Sequence, residues 1–405
     1  MEEEMRANML VIRELDKNED TQKVEELERR CEAGSCGEMS LFTDLLGDPI
    51  CRIRNSPSFL MLVAEIGPGK EIVGIIRGCI KVVSCGQHLR RPSNEDSDLK
   101  IEPICTKLAY ILGLRVSPSH RRKGIALKLV NRMEEWFRRN GAEYSYMATE
   151  LDNKPSLNLF TKKCNYTKFR TPSILVQPVF AHRVKTHRRQ ITIIELTPPE
   201  AETLYRRQLS ATEFFPQDID RIVQNKHNAG TFLAVPTEYL WTGLDRFLSD
   251  PPESWAVMSA WNCKEVFKLE IKGASLARRL AAKATRMVDK ALPWLRIPSV
   301  PDVFTPFGLL FLYGLGGQGQ QADKMAKVLC GHAHNIAKEL GCGVVVTEVA
   351  SQEPLRSAIP HWKRLSCAED VWCMKRLVED YSDGSLGDWS KSPPGLSIFV
   401  DPREF

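Results

Sequence analysis

Apolar and polar positions along the first 90 residues alternate in ways that predict strands and helices. Residues 9–15 form an apolar run typical of a strand, and residues 19–32 have apolar positions at the three- and four-residue spacing of a helix. Residues 39–48 have similar spacing and predict a second helix. Two apolar runs at 58–67 and 71–86, joined by a P-G-K-E turn, predict a β-hairpin.

The elements that follow the hairpin have the order strand, helix, strand, helix, strand. Residues 105–116 are almost continuously apolar, which suits a strand buried on both faces. The next helix has an apolar face from Ile125 to Phe137 and ends near Gly141. The remaining predicted elements are a strand at 142–151, a short helix at 154–164 and a last strand at 173–180.

Residues 86–103 separate the hairpin from these elements. They are polar and show no periodicity, which predicts a long mobile loop. Such a loop is either a lid over a substrate site or a tolerated insertion, and the ordinary behaviour of surface loops favours the insertion.

The second half of the chain contains an internal repeat. Residues 311–350 follow the plan of residues 110–152, and the glycines that bracket the helix are 28 positions apart in the first copy and 27 in the second. The repeat predicts an α/β (α+β) chain of two tandem units, each a mixed central sheet flanked by helices. We place the units at 1–180 and 191–405, joined by a basic linker at 181–190.

The second unit is expected to be a degenerate copy. Lys324 aligns with Gly124, and Asp323 beside it would repel an anion. We therefore expect this unit to be structural, substrate-presenting or partner-binding. Glu348 aligns with Glu150 but lies on an apolar strand, so we expect it to have a buried partner or to line the interface between the units.

A helical insertion at 273–304 interrupts the second unit. Its amphipathic core carries Arg and Lys on the polar face. Such a helix contacts a membrane or a partner, or it covers apolar surface of its own domain, which is our expectation. Cys330, His332 and His334 do not share one helix face, so the sequence predicts no metal site there.

Composition narrows the class of protein. The 405 residues are 43% apolar and carry 56 basic against 51 acidic residues. The apolar content predicts folded domains, and the small charge excess gives no reason to expect direct nucleic-acid binding. Twelve cysteines without a CxxC pair indicate reduced thiols inside a cell. No apolar run reaches the roughly 20 residues that cross a bilayer, so we expect no membrane contact.

Basic residues cluster where the strand at 105–116 meets its helix. Arg121, Arg122 and Lys123 precede Gly124, and consecutive backbone N–H groups at a helix start form an anion site. Glycine also permits a close approach of the backbone to a phosphate. A basic tripeptide alone is usually a solvated turn, but the spacing of the whole segment favours a phosphate or pyrophosphate site.

That spacing matches a known signature. Val116, Pro118, Arg121, Gly124 and Ala126 have the form V-x-P-x-x-R-x-x-G-x-A between a strand and an amphipathic helix. The pattern resembles the acetyl-CoA signature of the GCN5-related N-acetyltransferase (GNAT) superfamily, and the order of elements over residues 9–180 is similar to that fold. The resemblance implies acetyl-CoA as cosubstrate. Implied CoA contacts are the backbone amides from Arg122 through Lys123, Gly124 and Ile125 to Ala126, and, for the pantetheine arm, Leu114, Arg115 and Val116.

Acetyl transfer to an amine needs a base more than an acid, because the amine must be neutral to attack and a thiolate leaves readily. Alternation places Glu150 on the strand face that carries Tyr144 and Tyr146, so Glu150 is the candidate base. A solvated carboxylate at a strand end is the alternative. Tyr110 and His120 are weaker candidates, each also explained by a structural role or by proximity to phosphate.

The short helix departs from the superfamily pattern, which resembles N-x-x-A-x-x-x-Y. The matching residues are Asn153, Ser156 and Phe160, and phenylalanine cannot donate a proton to the leaving thiol. Tyr166 or water would then supply that proton. The alternative reading is a catalytically weak CoA-binding regulatory or scaffold protein.

Residues 119–137, 158–176 and 391–405 resemble the plant hookless family, regarded as probable N-acetyltransferases. The resemblance implies a nuclear regulator of hormone-dependent differential growth, including ethylene and auxin responses and the seedling apical hook. The sequence does not decide whether the acceptor is a protein lysine, a protein N-terminus or a small amine. A histone or another protein is a candidate partner. The sequence is also compatible with a homo-oligomer. Residues 181–190 are basic and are read either as a nuclear localisation signal or as a solvated linker. The expected location is the nucleus, with the cytoplasm as the alternative.

Overall fold

The structure is a computed structural model that describes residues 10–32, 34–36, 39–91, 100–186, 190–367, 369–378 and 387–405. Its helices are α1 Lys17–Arg30, α2 Ile125–Arg139, α3 Lys154–Lys163, α4 Pro198–Leu209, α5 Ile219–Val223, α6 Leu244–Ser249, α7 Leu276–Ala291 and α8 Ala322–Leu340. Its strands are β1 Leu10–Glu14, β2 Gly34–Cys36, β3 Met39–Asp44, β4 Ser58–Ile66, β5 Glu71–Arg91, β6 Lys100–Val116, β7 Tyr144–Glu150, β8 Thr167–Arg170, β9 Ser173–Pro178, β10 Ile191–Leu196, β11 Asn228–Pro236, β12 Trp255–Asn262, β13 Lys268–Lys272, β14 Leu309–Gln318, β15 Val344–Val349 and β16 Asp370–Arg376.

These strands form two large sheets and a small one. The first sheet has the order β1-β4-β5-β6-β7-β16-β8, the second has β10-β11-β12-β14-β15-β9, and β13-β3-β2 form the third. A parallel pair lies within each large sheet, β6 with β7 and β14 with β15, between antiparallel neighbours. The prediction of a mixed α/β fold is confirmed.

The two large sheets exchange one strand each. β16, near the end of the chain, pairs with both β7 and β8 of the first sheet. β9, from the first half, pairs with β15 of the second sheet. The strand predicted at 173–180 is therefore a strand, but it does not complete the first sheet, and the predicted linker at 181–190 does not divide the sheets.

The exchange gives the two sheets a common core. Buried side chains from both, including Tyr146, Trp372, Phe311 and Val346, form one apolar cluster. α2 and α3 pack on the opposite side of the first sheet, with Leu129 among the fully buried residues. We call that side the helical face, and the side that carries Tyr146 the front face.

The helix predicted at 39–48 is wrong. Met39–Asp44 instead form β3, which pairs with β13 from the second half of the chain. Phe42 lies beneath Lys272, whose Nζ is 4.6 Å from the ring centroid. A short apolar segment fits either period, and here pairing with a distant strand decides the outcome.

The loop predicted at 86–103 is wrong over much of its length. β5 continues to Arg91 and β6 starts at Lys100, and the two strands stay paired up to these residues. Residues 92–99 lie outside the described residues. The ladder is carried by backbone groups, so a polar sequence without periodicity does not prevent it.

The first part of the basic linker is held against helices rather than solvated. The backbone N–H of Val184 donates to Asn335 Oδ1 at 2.9 Å, and Asn335 Nδ2 donates back to Val184 O at 2.9 Å. His182 Nδ1 lies 2.7 Å from Asp289 Oδ1 on α7. Residues 187–189 lie outside the described residues, so the nuclear localisation signal stays a prediction.

The expectation that the helical insertion covers its own domain is wrong for one face of α7. Leu276, Leu280 and Met287 are 73%, 57% and 70% exposed, and Trp294 beyond the helix is 69% exposed. The buried Asp289 anchors the other face through Ser299, the backbone N–H of Ala181 and His182. Among the described residues, no helix is both long and apolar enough to cross a bilayer.

Replacing Leu280 and Trp294 with serine should change the free energy of unfolding by less than about 0.5 kcal/mol, because little apolar surface is buried at either position. Chemical denaturation followed by circular dichroism checks this. Leu329→Ala, at a fully buried position of α8, is the contrast and should cost about 2–5 kcal/mol. A comparable loss in the serine variant would mean that α7 packs on the protein after all.

Candidate active site

A wedge opens between β6 and β7. Their parallel ladder stops at the pair Ile111 and Met147, although β6 runs on to Val116 and β7 to Glu150. At this point Gly113 has a φ of 60°, and two β6 residues oppose one residue of β5. A bulge of this kind bends the strand. The backbone edge of residues 114–116 toward β7 is thereby left without a strand partner, and the three predicted pantetheine contacts lie there.

The start of α2 beside the wedge is an open anion cradle. The first intrahelical hydrogen bond runs from Lys128 N–H to Gly124 O, so the N–H groups of Ile125 and Ala126 have no partner within the helix. Gly124 has a φ of 78° and no side-chain cap, and no acidic residue lies in the first turn.

Space and charge at the cradle also suit an anion. A Cβ added to Gly124 would meet no atom within 4 Å, and residues 121–123 are exposed. Arg122 has a φ of 64°, which turns the chain sharply before the helix. Amides without a helix partner, the positive helix end and three neighbouring basic residues therefore favour an anion at this point. The residues present fit a diphosphate.

Two stacked tyrosines lie on the front face at the closed end of the wedge. The rings of Tyr110 and Tyr146 are 4.4 Å apart, and the Tyr146 hydroxyl donates to Glu404 Oε2 at 2.6 Å. Burial raises the pKa of Tyr110 well above its ordinary value. Tyr110 therefore keeps its proton at neutral pH and is able to donate it.

Glu150 faces a second carboxylate that the sequence analysis missed. Asp370 on β16 is its direct cross-strand partner, and directly opposite side chains share one face of a sheet. Burial, followed by the charge of Glu150, raises the pKa of Asp370 to about 7. The pair is therefore placed to bind or accept a proton near neutral pH. Its only sequence signal is an acidic residue ahead of the apolar stretch at 371–374.

Glu348 joins these carboxylates from the second sheet. Trp372 Nε1 donates to Glu348 Oε1 at 2.9 Å, which confirms the prediction that Glu348 has a buried partner. Burial and then the charge of Asp370 hold the pKa of Glu348 well above its usual range. Glu348 therefore holds a proton more readily than an exposed glutamate does.

Other predicted site residues lie apart from this front-face group. Tyr166 is buried on the helical face, with its hydroxyl 2.9 Å from Ser145 Oγ. Phe160 is also buried there and packs edge-on against Tyr166 at 5.2 Å. Asn153 caps α3 by accepting from the backbone N–H of Ser156 at 3.2 Å. The structure thus brings Tyr110 and Glu150 to one face, but not Tyr166.

The second sheet has a corresponding wedge whose cradle is filled. The β14–β15 ladder stops at Leu312 and Thr347, and Gly314 has a φ of 62°. At the start of α8, however, Gln321 N–H donates to Ser254 Oγ at 3.1 Å, and Asp323 lies in the first turn. A cavity of about 300 Å³ remains beside this glycine-rich strand end. In the described part of the chain, no three His, Cys, Asp or Glu side chains are placed to hold a metal ion.

Comparison with known proteins identifies the family. Residues 21–166 match the model of the "Acetyltransferase (GNAT) family". Two Arabidopsis thaliana proteins, "Probable N-acetyltransferase HLS1-like" and "Probable N-acetyltransferase HLS1", are each 63% identical over 98% of this chain and cover 99% and 100% of their own lengths. This chain belongs to the GNAT family of acetyltransferases. "Acetyl transferase GW6a" from Oryza sativa subsp. japonica is a further relative, 38% identical over 97% of both chains.

Solved structures support the same fold. Saccharomyces cerevisiae N-myristoyltransferase with bound myristoyl-CoA has a TM-score of 0.53 at 9% identity and covers 91% of this chain and 79% of its own. A GCN5-related glucosamine N-acetyltransferase region of a fungal GH3 β-N-acetylglucosaminidase has a TM-score of 0.50 at 12% identity, over 91% of this chain and 38% of that one. At such low identity these matches show the fold alone. The family itself implies that this GNAT protein uses an acyl-CoA.

Proposed function

We propose that this chain transfers an acetyl group from acetyl-CoA to the amine of a protein lysine, a protein N-terminus or a small molecule. One observation carries the proposal: the uncapped, acid-free start of α2 lies beside the ends of β6 and β7, where these two strands no longer pair with each other. An extended cosubstrate with a diphosphate at one point and a thin arm beyond it matches that shape. The family match supports an acyl-CoA, and the signature residues favour acetyl-CoA.

The cradle and the wedge would divide the binding of acetyl-CoA between them. Backbone amides from Arg122 to Ala126 would hold the diphosphate, with the side chains of Arg121 and Lys123 adding charge. The free edge of residues 114–116 would hold the pantetheine arm, and α3 with Asn153, Ser156 and Phe160 would lie toward the thioester end. When bound, acetyl-CoA supplies an acyl group that an amine can attack.

The front-face residues would handle the protons. Glu150, backed by Asp370, would accept a proton from the ammonium group of the acceptor, so that a neutral amine is available. Tyr110 would donate at the sulfur side, because its raised pKa keeps the hydroxyl protonated. Tyr166 remains a second candidate donor, but it would have to act through the sheet or after a rearrangement, since its hydroxyl is turned toward Ser145.

Calorimetric titration with acetyl-CoA tests the cradle. Gly124→Glu should weaken the affinity at least about tenfold, since a carboxylate would fill the open volume and oppose the diphosphate. Gly243→Glu is the matched control, because Gly243 also has a positive φ of 127° and open space around it. Equal affinities in all three proteins would remove the basis of the proposal.

A catalytically weak scaffold is the second candidate, favoured by the buried phenylalanine at the usual tyrosine position. Release of free CoA thiol in the presence of a lysine-peptide library separates the two. Acceptor-dependent release supports the enzyme; tight acetyl-CoA binding without release supports the scaffold.

We further propose that the second sheet is a degenerate copy of the first, so that the chain consists of exchanged tandem units. The matching strand order, the bulge at Gly314 and the early end of the β14–β15 ladder support duplication. Ser254 and Asp323 at its cradle argue against phosphate binding there. This unit would complete the first sheet through β16 and shape the acceptor side.

A nuclear role in hormone-dependent differential growth is proposed from the likeness to the Arabidopsis proteins over the whole chain. A fluorescent fusion reports the location. Expression in seedlings that lack the relative named HLS1 tests the role, and hooks that fail to form in those seedlings would count against it.

A further inference from the structure

Three arginines gather on the β6 side of the wedge. Arg77 on β5, Arg115 on β6 and Arg52 before β4 surround Glu28 of α1, and although burial alone would raise the pKa of Glu28, their charges hold it below its usual value. Arg77 Nη1 donates to Glu28 Oε1 at 2.7 Å, and Arg115 Nε lies 3.5 Å from Oε2. In the described part of the chain, Glu28 is the one carboxylate within ion-pair distance of Arg77 and Arg115, and none lies within that distance of Arg52. We call them the arginine cluster.

The arginine cluster has buried donors without a hydrogen bond in the described residues, and one of them, Arg115 Nε, has only the 3.5 Å ion-pair contact with Glu28. Arg77 Nη2, Arg115 Nε and Arg52 Nε are buried without a hydrogen-bond partner there. The Arg77 side chain is only 1% exposed, and burial lowers the pKa of Arg52. Buried guanidinium groups with unsatisfied donors are costly unless an anion joins them. The cluster is therefore suited to a negative group that comes from outside the chain.

The arginine cluster lies directly beside the proposed acyl site. A Cβ on Gly113, the residue of the bulge, would be 2.5 Å from Arg77 Nη1. Arg115 belongs to the part of β6 that lies beyond the ladder with β7. The charge of Arg52 also acts on the hydroxyl of Tyr110, at the closed end of the wedge. Arg77 and Arg115 therefore place the cluster at the bulge of β6, where the wedge begins.

Carboxylates occupy the opposite side of the wedge. Glu150 lies on β7, across the wedge from β6, and Asp370 lies on β16, beyond β7. The pKa of Tyr110, raised first by burial, also responds to Asp370 and to Arg52, so both groups of charges reach one hydroxyl. A ligand between them is oriented with its positive end toward Glu150 and its negative end toward the arginine cluster.

We propose that the acyl acceptor carries a carboxylate near its amine, and that Arg52 and Arg115 bind this carboxylate while Glu150 faces the amine. The planar guanidinium fork matches a carboxylate, and a charged amine beside Glu150 completes the charge balance. This inference rests on the proposed function and specifies its acceptor. The carboxylate comes from a free amino acid or from an acidic residue next to the target amine of a protein.

Binding to the full chain loaded with CoA tests the proposal without turnover. The calorimetric probes form two matched pairs: lysine against cadaverine, which lacks the carboxylate, and a lysine hexapeptide with glutamate flanks against the same peptide with glutamine flanks. We expect the carboxylate member of one pair to bind at least about tenfold tighter, the range for hydrogen bonds to charged groups. Tighter binding of lysine than of cadaverine would indicate a free amino acid as the acceptor. Tighter binding of the peptide with glutamate flanks would indicate a protein. Equal affinities in both pairs, or no binding of either carboxylate probe, would overturn the proposal.

Variants locate the effect in the arginine cluster. Arg52→Gln and Arg115→Gln should each reduce the carboxylate preference about tenfold or more, while Arg52→Lys keeps part of it. Arg54→Gln is the matched control, since that side chain is 49% exposed and already paired with Asp48. A preference unchanged in both glutamine variants would overturn the assignment.

Turnover is read separately as release of CoA thiol from acetyl-CoA. Carboxylate-dependent binding without thiol release would contradict acetyl transfer and leave the anion site standing. Thiol release without any carboxylate preference would support acetyl transfer and contradict the anion site.

Discussion

Glu150→Gln is expected to lower kcat by about 10²–10⁴-fold, the range for loss of a positioned proton acceptor. Glutamine keeps the size of the side chain but cannot take a proton from the ammonium group of the acceptor. Steady-state rates with acetyl-CoA and the best acceptor measure the change. Glu135→Gln is the control, because Glu135 lies on the exposed side of α2 and pairs with Arg132 there.

The pH dependence of the same reaction separates Glu150 from its partner. The pKa of Asp370 lies at about 7, so kcat/KM should rise with pH through that region and level off above it as the pair becomes fully ionised. Asp370→Asn removes the group that titrates there, and the rise should move to lower pH with a smaller loss of rate. An unchanged profile in Asp370→Asn, or full activity in Glu150→Gln, would exclude the carboxylate pair as the proton acceptor.

Local sequence patterns predict the part of the site that local structure builds. The continuous apolar run at 105–116 and the apolar face from Ile125 to Phe137 predict β6 and α2 within a few residues. Because the cradle consists of backbone N–H groups at their junction, the signature around Gly124 is enough to locate it. Alternation along β7 likewise predicts the face on which Glu150 lies.

Contacts between distant segments produce the features that the sequence analysis missed. Asp370 reaches Glu150 only because β16 enters the first sheet, and nothing in residues 370–376 specifies that sheet. β3 is a strand because β13 pairs with it. The arginine cluster combines Arg52, Arg77 and Arg115 from three separate segments, so no spacing rule detects it. Half of the proposed acceptor site therefore depends on tertiary structure alone.

The end of the chain is tied to the first sheet by buried charges. Lys81 Nζ on β5 lies 2.5 Å from Glu404 Oε2 and 3.1 Å from Asp401 Oδ2, with all three side chains buried. Arg403 in turn pairs with Asp401 and with Asp218 of the second half, at 2.7 Å and 2.6 Å. Since Glu404 also accepts from Tyr146, this network links both halves of the chain to the front face.

Lys81→Met should lower the free energy of unfolding by about 3–5 kcal/mol, because it leaves buried carboxylates short of one counter-charge. Burial already raises the pKa of Glu404, and loss of Lys81 raises it further. Because the pKa of Glu404 is higher in the folded than in the unfolded protein, its contribution to the free energy of unfolding is fully present below the unfolded pKa and is lost as the pH rises through the folded pKa. The loss of stability in Lys81→Met should therefore be smaller at pH 5 than at pH 8.

Adding Glu404→Gln to Lys81→Met should restore part of the stability by removing one unpaired anion. Lys107→Met, at an exposed strand position, is the control. Denaturant unfolding at both pH values measures all four proteins, and a defect that is equally large at pH 5 would show that lost packing of the Lys81 side chain, rather than unpaired charge, causes it.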